Sequence, residues 1–148
     1  MSDITVVKVG GNLIDDDYAL DDFLEAFSKL EGKKILVHGG GKLATGLSQK
    51  MGLETKMVNG RRITDAENLK LVTMVYAGFV NKNIVARLQS KHVDALGLCG
   101  CDLDIMRAKK REHPEIDYGF VGDIIAVNVN ALAVLINSNQ VPVLAPIT

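Results

Sequence analysis

Cysteine, proline, aromatic residues and an excess of charge of either sign are what this sequence has least of. Two cysteines among 148 residues, Cys99 and Cys101, exclude a disulfide-stapled scaffold, and a chain of this length buries enough apolar surface to manage without staples. Their C-x-C spacing offers too few ligands for a metal site and departs from the C-x-x-C of redox pairs, so they read as two reduced thiols at a strand end with no assigned role. A net charge of −1 with only 5% aromatic residues leaves neither a basic field nor a stacking ladder for nucleic acid. No apolar run approaches the roughly 20 residues of a membrane span, and Met1-Ser2-Asp3-Ile4 has neither a basic nor an apolar leader region. The expectation is a cytosolic protein with no nucleic acid and no membrane among its partners. Three prolines against 14 glycines point to turns that carry function more than to disorder.

What is present is organised around Lys34-Ile35-Leu36-Val37-His38 and the following Gly39-Gly40-Gly41-Lys42. Consecutive aliphatic residues predict a buried strand, and three glycines after it remove every Cβ that would keep a ligand from the main chain. The spacing of Leu43, Ala44, Leu47 and Met51 predicts a helix from Lys42, so the glycines lie at a helix N-terminus, where unpaired N–H groups and the macrodipole attract a carboxylate or a phosphate. Thr5-Val6-Val7-Lys8-Val9, leading into Gly10-Gly11-Asn12, repeats the arrangement. The two turns converge on one site if their strands are parallel neighbours. His38 suits core packing and orientation of the glycine loop equally.

Between these strands Asp15-Asp16-Asp17 opens a helix carrying Leu20, Phe23, Leu24, Phe27 and Leu30, stopped by Gly32; the carboxylates read as complements of the macrodipole rather than as a metal site. Residues 55–58 and 62–64 flank Asn59-Gly60, a short hairpin signal. Thr64-Asp65-Ala66-Glu67 reads as a capping box, opening a long helix over 65–91. Its apolar residues cover more than one face, and Gly78 near its centre allows a close backbone crossing. Half of that surface is expected in the core and half between subunits. Residues 95–98 predict a short buried strand. Residues 106–111 and 118–122 read as paired edge strands around a polar turn with Pro114, their basic run a solvated strand or a substrate patch. A helix over 130–136 and a strand over 141–144 follow. The alternation predicts an α/β fold, a mostly parallel sheet sandwiched by helices with two hairpin insertions. Its last strand, with no helix after it, is expected to leave an unfinished edge and to mark the chain as part of something longer.

Lys8-Val9-Gly10-Gly11-Asn12, Val37-His38-Gly39-Gly40-Gly41, Asn59-Gly60-Arg61-Arg62-Ile63-Thr64 and Gly119-Phe120-Val121-Gly122-Asp123, in this order, resemble the amino-acid kinase family over the whole chain. The resemblance implies ATP-dependent phosphorylation of the side-chain carboxylate of an N-acylated glutamate, with Mg²⁺ accompanying ATP. It assigns Lys8 to the transferring phosphoryl group, the amides of Gly40 and Gly41 and the guanidinium of Arg62 to the amino-acid substrate, and Gly10 and Gly11 to the phosphates. It also implies a homodimer, which the helix over 65–91 would form. Residues 1–148 would be the N-terminal, amino-acid-binding lobe, with the nucleotide-binding half beyond Thr148, and alone would bind acylglutamate weakly without turnover. Leu103 follows Asp102 where the family commonly has a second glycine, and that loop is assigned nothing. Elementary chemistry agrees with these roles. Phosphoryl transfer is mostly positioning and charge neutralisation, and an ionised carboxylate acceptor needs no base. Arginine's planar fork suits a carboxylate, and lysine offers a compact charge for phosphoryl oxygens.

Two rival readings remain at this level. Gly39-x-Gly41-x-x-Ala44 satisfies the dinucleotide fingerprint of an oxidoreductase, but the strand after it ends Met57-Val58-Asn59 where an acidic residue is wanted. A Walker loop fails because Leu43 follows Lys42. The other rival is a non-catalytic module that binds an acidic amino acid.

Overall fold

The computed structural model describes residues 3–148 apart from Gly41, Thr55, Asn59 and the side chain of Arg61. Four parallel strands form the central sheet in the order β1 (Ile4–Val9), β2 (Lys33–His38), β8 (Val141–Leu144), β5 (Ala95–Leu98). β2 and β8 are the aliphatic runs of the sequence, and their burial on both faces is what an interior parallel strand requires. β8 therefore lies inside the sheet. The unfinished edge expected there is corrected, because β1 and β5 are the edges.

One face of the sheet carries Val9, Leu36, Ala95 and Val143, packed against Leu24 and Phe27 of α2 (Asp17–Ser28), Ala44 of α3 (Leu43–Lys50) and the long helix. The other carries Ile35, Leu98 and Leu144 against Ile136 of α6 (Val129–Asn137). A short α1 (Gly11–Ile14), not foreseen in the sequence, follows β1 directly.

Helix ends show which polar residues the chain invests in them. Asp16 caps α2 by accepting from the amides of Tyr18 and Ala19, and Lys34, buried on β2, donates to the carbonyls of Phe27, Ser28 and Leu30 at its other end. The capping box expected at Thr64 is shifted by one residue. Asp65 is the cap and accepts from both the amide and the side-chain Nδ2 of Asn68, while the backbone of Thr64 is bonded to Tyr118 and Phe120. The long helix runs as α4 (Ala66–Val72), a π-helical stretch Thr73–Val80, and α5 (Asn81–Ser90). The π-helical stretch went unseen in the sequence, since a wider turn has no composition signature.

The first hairpin pairs β3 (Lys56–Val58) with β4 (Arg61–Ile63) in the expected two-residue turn, with Gly60 at φ +74; the expected turn residue Asn59 and Thr55 lie outside the described residues. The second hairpin differs from expectation. β6 (Met106–Lys110) pairs with β7 (Gly122–Val127), so only Gly122 of the expected strand 118–122 enters the ladder, opposite Lys110, with Val121 O accepting from Arg111 N beside it. Residues 118–120 turn away to meet the first hairpin, where Thr64 N donates to Tyr118 O and Phe120 N donates to Thr64 O. Gly119, at φ +70, makes the approach possible, since a Cβ there would sit 2.2 Å from Thr64 O. No helix among the described residues is long and apolar enough to cross a membrane.

Candidate active site

β1 and β2 are parallel neighbours, with Lys8 opposite Val37 and Val9 opposite His38. The two glycine turns consequently leave the sheet side by side. Gly39 N donates to Val9 O, and a Cβ on Gly39 would lie 3.7 Å from Gly11 N. The pleat turns Lys8 to the face on which Val37 lies. Its side chain is exposed and makes no hydrogen bond or ion pair among the described residues.

Beyond the β1 turn, Gly10 N-caps α1 with no side chain supplied to its amides. A cavity of about 430 Å³ opens there, lined by Gly10, Gly11, Asn12, Leu13, Asp15 and Lys42. The carboxylate of Asp15 accepts from Lys42 N at 3.0 and 2.9 Å. This revises the reading of the aspartates. Asp16 and Asp17 complement α2 as expected, whereas Asp15 reaches across to the N-terminus of α3 and ties the two glycine turns together.

On the other side of the β2 turn lies a cavity of about 590 Å³ walled by Val37, Arg62, Thr64, Tyr76, Met106 and Arg111, with the two hairpins as its roof. That size is within the roughly 300–1,000 Å³ of small-molecule sites. Arg62 donates to Thr45 Oγ1 at 2.7 Å and lies beside Ser48 Oγ. Arg111, from the basic run, is held by Asp123 of the Gly119–Asp123 motif. Lys110 pairs with Asp117 and Arg107 with Asp104, so the rest of that run faces solvent. The missing Cβ of Gly40 is used by the chain itself: a Cβ there would fall 1.9 Å from the ring of Tyr76. The Gly40 amide has no acceptor among the described residues. Gly41 lies outside the described residues. Burial pushes the Tyr76 phenol above its ordinary pKa.

Beneath the β2 turn runs a polar network that the sequence did not announce. His38 is 1% exposed; Asn81 Nδ2 donates to its Nε2 at 3.0 Å and to Val143 O at 2.9 Å. An amide donor at Nε2 places the imidazole proton on Nδ1, which donates to Gly39 O at 2.8 Å. Lys82 continues the network to Asn81 Oδ1 and Gly97 O. Burial, and secondarily the Lys82 charge, hold the His38 pKa below its ordinary value, with the Gly39 hydrogen bond opposing. His38 thus packs in the core and orients the loop at once. The signal for Asn81 was a polar residue inside an apolar helix, visible but uninterpretable without its partners.

Cys99 is buried and Cys101 exposed. Burial, followed by hydrogen bonds to Cys101 and Asp102, pushes the Cys99 thiol up to about 12. The dinucleotide reading loses its ground: β3, the next strand after α3, belongs to a separate antiparallel ribbon and is not the neighbouring parallel strand that would present an acidic residue to a ribose.

The sequence of residues 3–148 matches the model of the amino acid kinase family. The chain is 56% identical over 145 residues to an acetylglutamate kinase from Phocaeicola vulgatus, covering 98% of this chain and 56% of that protein. It is 56% identical over 148 residues to an acetylglutamate kinase from Parabacteroides distasonis, covering 100% and 58%. The chain thus spans about half the length of the curated relatives it matches. Among solved structures, N-acetylglutamate synthase from Neisseria gonorrhoeae, complexed with coenzyme A and N-acetyl-glutamate, superimposes with a TM-score of 0.76 at 20% identity, covering 95% of this chain and 32% of that one. That likeness speaks for the fold alone. With a family match over almost its full length and parallel glycine-turn strands at its centre, the chain belongs to the amino acid kinase family.

Proposed function

We propose that the protein containing this chain phosphorylates the side-chain carboxylate of N-acetyl-L-glutamate with ATP, a step of arginine biosynthesis, and that residues 1–148 form its amino-acid-binding lobe. The observation that carries this reading is the in-register pairing of β1 and β2, which sets a lysine with no partner among the described residues and two glycine turns beside an arginine-walled cavity. The names of the relatives agree with it. So does their length, which leaves about as much chain again to bind the nucleotide.

In this reading Arg62 grips the α-carboxylate of the acylglutamate, with Thr45 and Ser48 fixing the guanidinium plane. The Gly40 amide, and that of Gly41, hold the substrate. A side-chain carboxylate oxygen forms its bond to the γ-phosphorus as the bond to the β-phosphate oxygen breaks and ADP leaves; no proton moves, so no base is required. Lys8 neutralises charge on the transferring group. The amides around Gly10 and Gly11 take phosphate oxygens. Magnesium bound with ATP would supply further neutralisation of the β- and γ-phosphates, but among the described residues no cluster of three metal-ligating side chains lies at the glycine turns, and no step here is routed through it. Two copies would pair through the long helix in the cytoplasm.

The test is acyl phosphate formation by the full-length protein, trapped with hydroxylamine as a hydroxamate. N-acetyl-L-glutamate with ATP should give product and free glutamate should not. Product from neither amino acid would reject the activity.

A further inference from the structure

Away from the phosphoryl-transfer residues, three side chains of metal-ligating type converge where β5 ends. Cys99 Sγ lies 3.2 Å from Cys101 Sγ and 3.2 Å from Asp102 Oδ2, and one ligand atom from each of the three falls within 4.8 Å of the others. Among the described residues no other set of three His, Cys, Asp or Glu side chains meets that closely. The sequence reading counted two thiols and no third ligand; the fold supplies it.

The loop is already held in the shape that brings them together. Asp102 Oδ2 accepts from Cys99 N at 2.7 Å, Gly100 N donates to Ile147 O, and Met106 N donates to Gly100 O. Only glycine serves between the two cysteines, because a Cβ on Gly100 would lie 2.5 Å from Thr148 and 2.9 Å from Met106 O. Cys99 is buried while Cys101 and Asp102 are exposed, an arrangement with a fixed inner ligand, two outer ones, and an open approach from water. Preorganised soft donors with an anionic oxygen suit a thiophilic cation better than a hard one.

We propose that Cys99, Cys101 and Asp102 form a binding site for a thiophilic d¹⁰ cation of the zinc class, separate from the phosphoryl-transfer residues. Both thiols lose their protons to solvent, two sulfur–metal bonds form, Asp102 provides the third ligand and water the fourth. Tetrahedral geometry with metal–sulfur bonds of about 2.3 Å separates two sulfurs by roughly 3.8 Å, so the pair must open by about half an ångström, a movement available to the exposed Cys101. Because Gly100 is bonded to Met106 and packed on Thr148, both in the wall of the Arg62 cavity, a bound cation would fix that wall.

The probe is Cd²⁺, titrated anaerobically into the reduced protein while the ultraviolet thiolate-to-metal band is followed, with Zn²⁺ added in competition. The expected result is saturation at one equivalent per chain, release of two protons, displacement of the band by Zn²⁺, and an unchanged circular dichroism spectrum. Cys101→Ser, at an exposed position, should remove the band without unfolding the protein, and Asp102→Asn should weaken binding about tenfold or more. A wild-type protein with no saturable band, a band that persists in Cys101→Ser, or affinity unaltered in Asp102→Asn would overturn the site.

Discussion

At the scale of single residues, the roles proposed for Lys8 and Arg62 differ, and kinetics can tell them apart. If Lys8 acts as proposed, on charge that develops during transfer, Lys8→Met should lower kcat by about two to three powers of ten with KM for acetylglutamate almost unchanged. An unaltered kcat would end that role. Arg62→Lys keeps the charge and loses the fork, so KM for acetylglutamate should rise far more than KM for ATP; equal rises would remove the carboxylate clamp. His38 gives a prediction about pH. Its pKa in the fold lies below the ordinary value of 6.5, so the unfolded chain takes up a proton that the folded one refuses. The neutral imidazole's contribution to stability is therefore complete above about pH 6.5 and is lost as pH falls below it. Thermal melts should show a decline in that window which is shallower in His38→Asn, and identical slopes would refute it. Lys8, the paired glycines and Arg62 could be singled out as candidates in the sequence because each belongs to a short local motif, and the side-by-side glycine turns follow from the parallel pairing of β1 and β2. Tyr76, Asn81 and Lys34 were not, because what makes them matter is a partner 36, 43 or up to 7 positions away that only the packed chain supplies.

Elements were legible wherever periodicity was long and local. The four sheet strands, α2, α3 and α6 follow from their apolar spacing, and the first hairpin from its turn. The second hairpin was misread because residues 118–121 have strand-like composition but spend their backbone groups on Thr64 and Arg111. The π-helical stretch shows how an element serves a site. Its wider turns carry Tyr76 onto Gly40 and hand over to α5 at Asn81, which faces His38. The join between α2 and β2 is the clearest measurable case. Lys34 closes the open carbonyl end of α2 from the neighbouring strand, with its ammonium 5.2 Å from the Phe27 ring centre. Lys34→Met keeps the stem and removes the donors, so stability should fall by about 1–3 kcal/mol. At this chain length each kcal/mol shifts the melting temperature by roughly 2–4 °C. A variant melting with the wild type would mean that water caps α2 equally well.

For the whole molecule, the long helix has more apolar surface than one core uses. Val75 and Val80 are buried, while Met74 and Phe79 remain 59% and 65% exposed, and, the adjoining helix backbone aside, no atom of the described residues lies within 4 Å of a Cβ placed on Gly78. The homodimer proposed through this surface should dissociate in Phe79→Glu, and light scattering on the full-length protein at micromolar concentration will decide. A wild-type monomer would exclude it. The order β1-β2-β8-β5 has a further consequence, for the chain during its synthesis. β1 and β2 can pair as soon as α2 has been made, but β5 meets β2 only through β8, the last of these four strands to be synthesised. Until Val143 arrives beside Leu36 and Gly97, the nascent protein carries two open strand edges and a long helix with half its seat missing. Such edges recruit chaperones or one another, and the pairing that closes them joins segments far apart in sequence, the kind of contact that forms slowly.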